Sequence, residues 1–208
     1  MQIRSNSLVD GERVPERFAF GKRGEDGRFA PSENVSPHVA WSGAPTGTRS
    51  YVLLMWDVDV PTSGEDVNQD GKTVPYDLPR ADFSHWILVD LPPALQELAE
   101  GTHGEGIVGG GKTAESAPNG RCGQNDYTGW FAGDPDMAGS YMGYDGPCPP
   151  WNDTRLHHYH LAVFALDVDR LPVDGAFTLE QVRQAMEGHV LAQAEMVCPY
   201  AIYADAKA

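Results

Sequence analysis

Three segments of the chain are too densely apolar for half-exposed strands. Tyr51 to Val60, Ser84 to Leu91 and His158 to Val168 are rich in Val, Leu, Phe and Trp and are bounded by Pro, Gly and Asp, as buried strands are. In the Tyr51 run and in His160 to Leu166 nearly both alternating faces are apolar, which suits a sheet covered on each side. The pattern predicts three central strands in a mainly β fold and points to a sandwich. Near the C-terminus the period changes. Leu179, Val182, Ala185 and Met186 recur at helical spacing behind Thr178-Leu-Glu-Gln181, whose ends have the spacing of a capping box. A helix is predicted there, with Gly188 interrupting it before a second helical piece over His189 to Met196.

Two long polar stretches, Thr62 to Asp82 and Gly101 to Gly139, separate these elements. Loops of that size in a compact unit are functional or disordered, and both flank the candidate chemistry, so they are read as walls and lids. No internal repeat or low-complexity tract divides the chain, and residues 1–208 are read as one domain.

Charge narrows the partners. Fifteen basic against thirty acidic residues leave a formal net charge of −15, which repels nucleic acid and disfavours an anionic membrane surface. A single small anion inside a pocket is compatible with it. No apolar run reaches even a dozen residues, so no membrane-spanning helix is predicted, and Met1 to Ser7 lack the apolar stretch of a signal peptide. A cytoplasmic location is the expectation. Cys122, Cys148 and Cys198 are widely spaced and odd in number, which fits reduced thiols better than a disulfide framework or a zinc knuckle.

The polar residues that interrupt the apolar runs are the candidate chemistry. Asp57 and Asp59 lie two apart at the end of the first run, so a regular strand would place them on one face beside Pro61. His85 opens the second run next to Trp86. His157 and Tyr159 share one face at the start of the third, with His158 and His160 on the other. Between them lies Gly146-Pro147-Cys148-Pro149-Pro150, a turn in which only Gly146 and Cys148 have an N–H to offer a ligand. Imidazole, phenol and main-chain amide are all donors, and their convergence would suit phosphate or carboxylate oxygens. Asp57 would accept from an imidazole N–H or hold a ligand ammonium group.

These residues resemble the phosphatidylethanolamine-binding protein family, also called the Raf kinase inhibitor protein family, in its bacterial branch. The likeness is carried by Asp57-Val-Asp59-Val-Pro61, Phe83-Ser-His85-Trp86, Gly146-Pro147-Cys148-Pro149-Pro150, His157-His158-Tyr159 and Gly188-His189-Val-Leu-Ala. It spans most of the chain. Val58 stands where the family often has proline, and Thr62 to Asp82 is longer than in the shortest relatives. The resemblance implies a mainly β, two-sheet antiparallel Greek-key-like β-sandwich with peripheral helices, a C-terminal helical segment among them, and an anion pocket at one end. It implies ligand-binding roles for Asp57, Asp59, Pro61, His85, Gly146, Pro147, Pro150, His157 and Tyr159. The ligand so implied is phosphate, acetate or a phosphoethanolamine-like head group. A kinase-regulating partner surface is a second implication, and self-association is compatible with such a fold.

Catalysis and metals are the competing readings. Asp, His and Tyr can serve as acid and base, but no nucleophile is evident. Ser84 faces away from His85 on a regular strand, and neither a Gly-x-Ser-x-Gly elbow nor a Ser-x-x-Lys motif occurs. The expectation is a binding protein, not an enzyme, without a cofactor. His157, His158 and His160 alternate between faces and do not form a zinc site. Asp66-Val-Asn68-Gln-Asp70-Gly71 through Asp77 follows calcium-loop spacing, with a solvated acidic insertion as the plainer alternative.

Overall fold

The three densely apolar runs become the inner strands of one antiparallel sheet. The computed structural model describes the backbone of residues 1–208 and every side chain except that of Ser116. In chain order the strands are β1 (Gln2–Arg4), β2 (Gly21–Arg23), β3 (Phe29–Pro31), β4 (Val39–Ser42), β5 (Ser50–Pro61), β6 (Arg80–Leu91), β7 (Glu97–Leu98), β8 (Arg121–Cys122), β9 (His157–Leu166) and β10 (Val190–Tyr200). The α-helices are α1 (Tyr127–Trp130) and α2 (Leu179–Met186). The large sheet has the order β10-β9-β5-β6-β8, a smaller one β1-β4-β7, and β2 pairs with β3 alone.

Both faces of the large sheet are covered, which accounts for the doubly apolar runs. Tyr51, Leu53 and Met55 of β5 pack with Trp86, Leu88, Leu161 and Val163 against Val39, Trp41 and Leu98 of the small sheet. Val52 and Leu54, one residue out of phase, pack with Ile87 and Val89 against Leu179, Val182 and Met186 of α2. Period-two alternation thus feeds two separate apolar layers.

The C-terminal expectation divides. Thr178 and Gln181 form the capping box, and α2 begins where the spacing predicts. His189 to Met196 is not helical. Gly188 takes a left-handed φ of 78°, a conformation glycine adopts without a Cβ penalty, and the chain turns into β10, which pairs with β9 from Val190 to Tyr200. Ala, Gln, Glu and Met favour helix in isolation, but pairing with an already buried strand overrides so weak a preference.

Two irregularities in β5 and β6 position the site. Met55 pairs with Trp86 but Trp56 pairs with Ser84, so His85 is the extra residue of a β-bulge. A regular strand would aim it with Ile87 toward α2. The bulge turns it instead to the face of Asp57 and Tyr159, which are register partners across β5 and β9. A second irregularity, between Asp57 and Val60, separates Asp57 from Asp59.

Candidate functional site

A cavity of about 360 Å³ lies where β5, β6 and β9 meet the long loops. Asp57, Pro61, His85, Pro150, His157 and Tyr159 all line it. Asp59, Gly146 and Pro147 are not among its lining residues, and each has a structural partner instead. Asp59 Oδ1 meets Arg155 Nε at 2.6 Å, and its Oδ2 accepts from the His158 N–H at 3.0 Å. Its own N–H donates to Asp57 Oδ1 at 2.8 Å, a local turn that removes it from the face of Asp57. The Gly146 N–H donates to Asn34 Oδ1 at 2.8 Å, so this amide is already committed. Glycine is required there because a Cβ would stand 2.0 Å from the Phe18 carbonyl oxygen. The Pro147 carbonyl accepts from the N–H groups of Phe20 and Gly21. Cys148 does line the cavity, and its N–H has no acceptor among the described residues.

His157 is held between two carboxylates. Its Nδ1 lies 2.6 Å from Asp57 Oδ2 and its Nε2 lies 3.0 Å from Asp153 Oδ2. Both ring nitrogens therefore donate, which requires the imidazolium. Burial opposes that charge, but Asp57 and Asp153 outweigh it and hold the group up to about 9. Asp153 in turn receives Arg80 through Nη1 at 2.6 Å and Nη2 at 3.2 Å. Burial raises Asp57 and Asp153, yet their cationic partners leave both below the ordinary carboxylate value. The four alternating charges of Asp57, His157, Asp153 and Arg80 sum to zero. His157 is consequently not a free donor to a ligand.

His85 differs from it in kind. Its Nδ1 lies 2.8 Å from the Asp145 carbonyl, so Nδ1 carries the proton and Nε2 is the acceptor in the neutral ring. Burial pushes its pKa down, and the neighbouring Asp57 compensates only in part. Tyr159 lines the cavity with its hydroxyl buried and without a hydrogen bond of normal geometry among the described residues. Burial, with Asp57 close by, keeps this phenol protonated far above its usual range. The floor thus offers one unused donor, Tyr159, and one unused acceptor, His85 Nε2.

The walls are aromatic. Phe20 stacks on Tyr127 with ring centroids 4.7 Å apart, and Phe131 stacks on the same ring at 5.7 Å. Phe29, Phe83, Trp130 and Trp151 add to the apolar lining. The Tyr127 hydroxyl is spent on the Gly146 carbonyl at 2.7 Å, leaving the ring as apolar surface. Sequence reasoning missed this wall, and it missed Asp153 and Arg80. The short α1 that carries Tyr127 and Trp130 sits inside a polar stretch with no helical period. Asp153, four residues before His157, was the one local hint.

The acidic loop after β5 is organised by an amide. Asn152 Nδ2 donates to the carbonyls of Asp66, Gln69 and Lys72 at 2.9, 3.4 and 3.1 Å, while its Oδ1 accepts from the Asn68 N–H at 2.9 Å. Asp66 pairs with Lys72 and Asp70 with Arg28. The calcium-like spacing is thus folded around a side-chain amide, with two of its carboxylates in ion pairs. Among the described residues no group of three or more His, Cys, Asp or Glu is placed to hold a metal ion. No helix there is long and apolar enough to cross a membrane.

Comparison with known proteins agrees with this architecture. Residues 4–201 match the family model described as phosphatidylethanolamine-binding protein. The chain is 30% identical over 200 residues to the UPF0098 protein YbhB of Escherichia coli, covering 96% of this chain and 99% of YbhB. A UPF0098 protein of Aquifex aeolicus is equally similar, at 30% over 200 residues, covering 96% of this chain and 88% of the relative. Among solved structures, Escherichia coli YbcL, described as a member of the mammalian PEBP family, superposes with a TM-score of 0.68 at 26% identity. That match covers 96% of this chain and 97% of YbcL.

Proposed function

This chain belongs to the phosphatidylethanolamine-binding protein family, and from that premise we propose that its cavity binds the anionic head group of a small phosphate-type ligand without transforming it. The observation that carries this reading is the Tyr159 hydroxyl, buried in the cavity wall beside Asp57 with no hydrogen bond of normal geometry among the described residues. An unpaired buried hydroxyl costs roughly 1–3 kcal/mol, and a ligand oxygen would remove that cost. Cys148 lines the same cavity, and its N–H has no acceptor among the described residues. The charge-balanced Asp57–His157–Asp153–Arg80 array holds the surrounding strands without offering a free charge.

The state of the nucleophiles favours binding over chemistry. Burial pushes the Cys148 thiol up to about 12, which removes the thiolate at neutral pH. Ser84 Oγ is buried without a partner, so no base activates it. Calorimetric titration with inorganic phosphate and phosphoethanolamine tests the reading. Saturable binding that weakens about tenfold in Tyr159→Phe is expected, and no heat from either compound would overturn it.

A further inference from the structure

The three unused groups in the cavity do not suit every phosphate alike. Tyr159 and the Cys148 amide each hold a hydrogen to donate, whereas His85 Nε2, with its tautomer set by the Asp145 carbonyl, can only accept in the neutral ring. A ligand that satisfies all three presents bare oxygens to the first two and an O–H to the third. Resting on the head-group reading above, we infer that this site selects phosphate monoesters over phosphodiesters, because a monoester carries into the cavity the proton that His85 lacks. A diester has two alkylated oxygens and two bare ones, so it faces His85 Nε2 with a lone pair against a lone pair unless the ring first takes a proton from solvent.

The proton balance is simple. A monoester loses its second proton near pH 6, so its monoanion donates P–O–H to Nε2 with no proton drawn from solvent. Above that pH the dianion must recover one proton, which the complex holds between the phosphate oxygen and the ring. Nearby charge also favours the monoanion, since Asp57 faces the ring and the whole chain carries −15.

The other groups around His85 leave this exchange visible. From β5 it faces Asp57, from β9 His157 and Tyr159, from α1 Tyr127, and from the adjoining loops Asp126, Asp145 and Cys148. Asp145 is tied to Lys112 Nζ at 2.7 Å. Asp57 is held below 3.8 and His157 up to about 9, Cys148 is pushed up to about 12, and both phenols lie above their usual range. None of these five changes state near neutrality.

Methyl phosphate and dimethyl phosphate are the probes, since a cavity of about 360 Å³ accommodates the one extra methyl. At about pH 6, methyl phosphate is expected to bind at least tenfold more tightly. Its affinity should then fall toward about tenfold per pH unit by pH 8. Proton uptake, read from heats in buffers of different ionisation enthalpy, should rise from a fraction toward one over the same range. Equal affinities for the two esters, or methyl phosphate binding without pH dependence, would overturn the monoester inference and leave the head-group reading intact. Failure of both esters and of inorganic phosphate to bind would overturn the head-group reading and this inference with it.

Discussion

Asp153 accepts the Nε2 proton of His157 at 3.0 Å, and through that contact a loop residue fixes the charge on a ring at the centre of the sheet. The same carboxylate receives Arg80, whose side chain is only 6% exposed. Replacing it leaves two buried cations with one partner fewer. Asp153→Asn is therefore expected to lower stability by about 3 kcal/mol, read as a fall in the urea midpoint. An unchanged midpoint would show that the pair carries no structural weight.

The pH dependence of stability follows from the same ring. His157 is raised from 6.5 to about 9, so its contribution is full below 6.5 and disappears as pH rises through 9. By linkage that is at most about 3 kcal/mol. His85 is depressed, so its contribution is present above 6.5 and declines as pH falls. Asp57 and Asp153 are also depressed, and theirs is present above 3.8 and lost in stronger acid. Urea midpoints from pH 4 to 10 should pass through a maximum near neutrality. In His157→Gln the loss between about pH 7 and 9 should flatten, and an alkaline limb as steep as wild type would refute the assignment.

Tyr159→Phe separates binding from folding. The hydroxyl it removes has no hydrogen bond of normal geometry among the described residues, so the variant should be as stable as wild type or up to about 3 kcal/mol more so. A clear loss of thermal stability would mean that the hydroxyl already has a structural role, and the head-group reading would lose its main support.

Asn152 holds the loop between β5 and β6 through four hydrogen bonds, three donated and one accepted. Asn152→Ala leaves those loop groups without their partner and should cost about 2 kcal/mol. It should also expose residues 62–79 to proteolysis. Added calcium should protect neither form. Calcium-dependent protection of the wild type would revive the cation reading of Asp66 to Asp77.

The aromatic wall predicts a preference as well. Trp130 is 50% exposed at the cavity mouth, and Trp130→Ala should weaken phenyl phosphate several-fold while sparing methyl phosphate. Equal losses for both would assign Trp130 to the fold and not to the ligand.

The chain pattern alone established the central strands and the capped helix. Those follow from periodicity and from local hydrogen bonding, which depend on near neighbours. It also marked Asp57, His85, His157 and Tyr159, because polar residues break an apolar run conspicuously. What it could not show is which groups are already spoken for. The bulge at His85 depends on strand pairing, since one unpaired residue reverses the direction of a side chain. Gly146 looked like a free donor until Asn34, far away in the chain, was placed against it. His157 looked like an anion ligand until Asp153 closed its second N–H. Residue types were readable because they are local, whereas donors left over are a difference between all donors and all acceptors in space, and only the packed structure determines that difference.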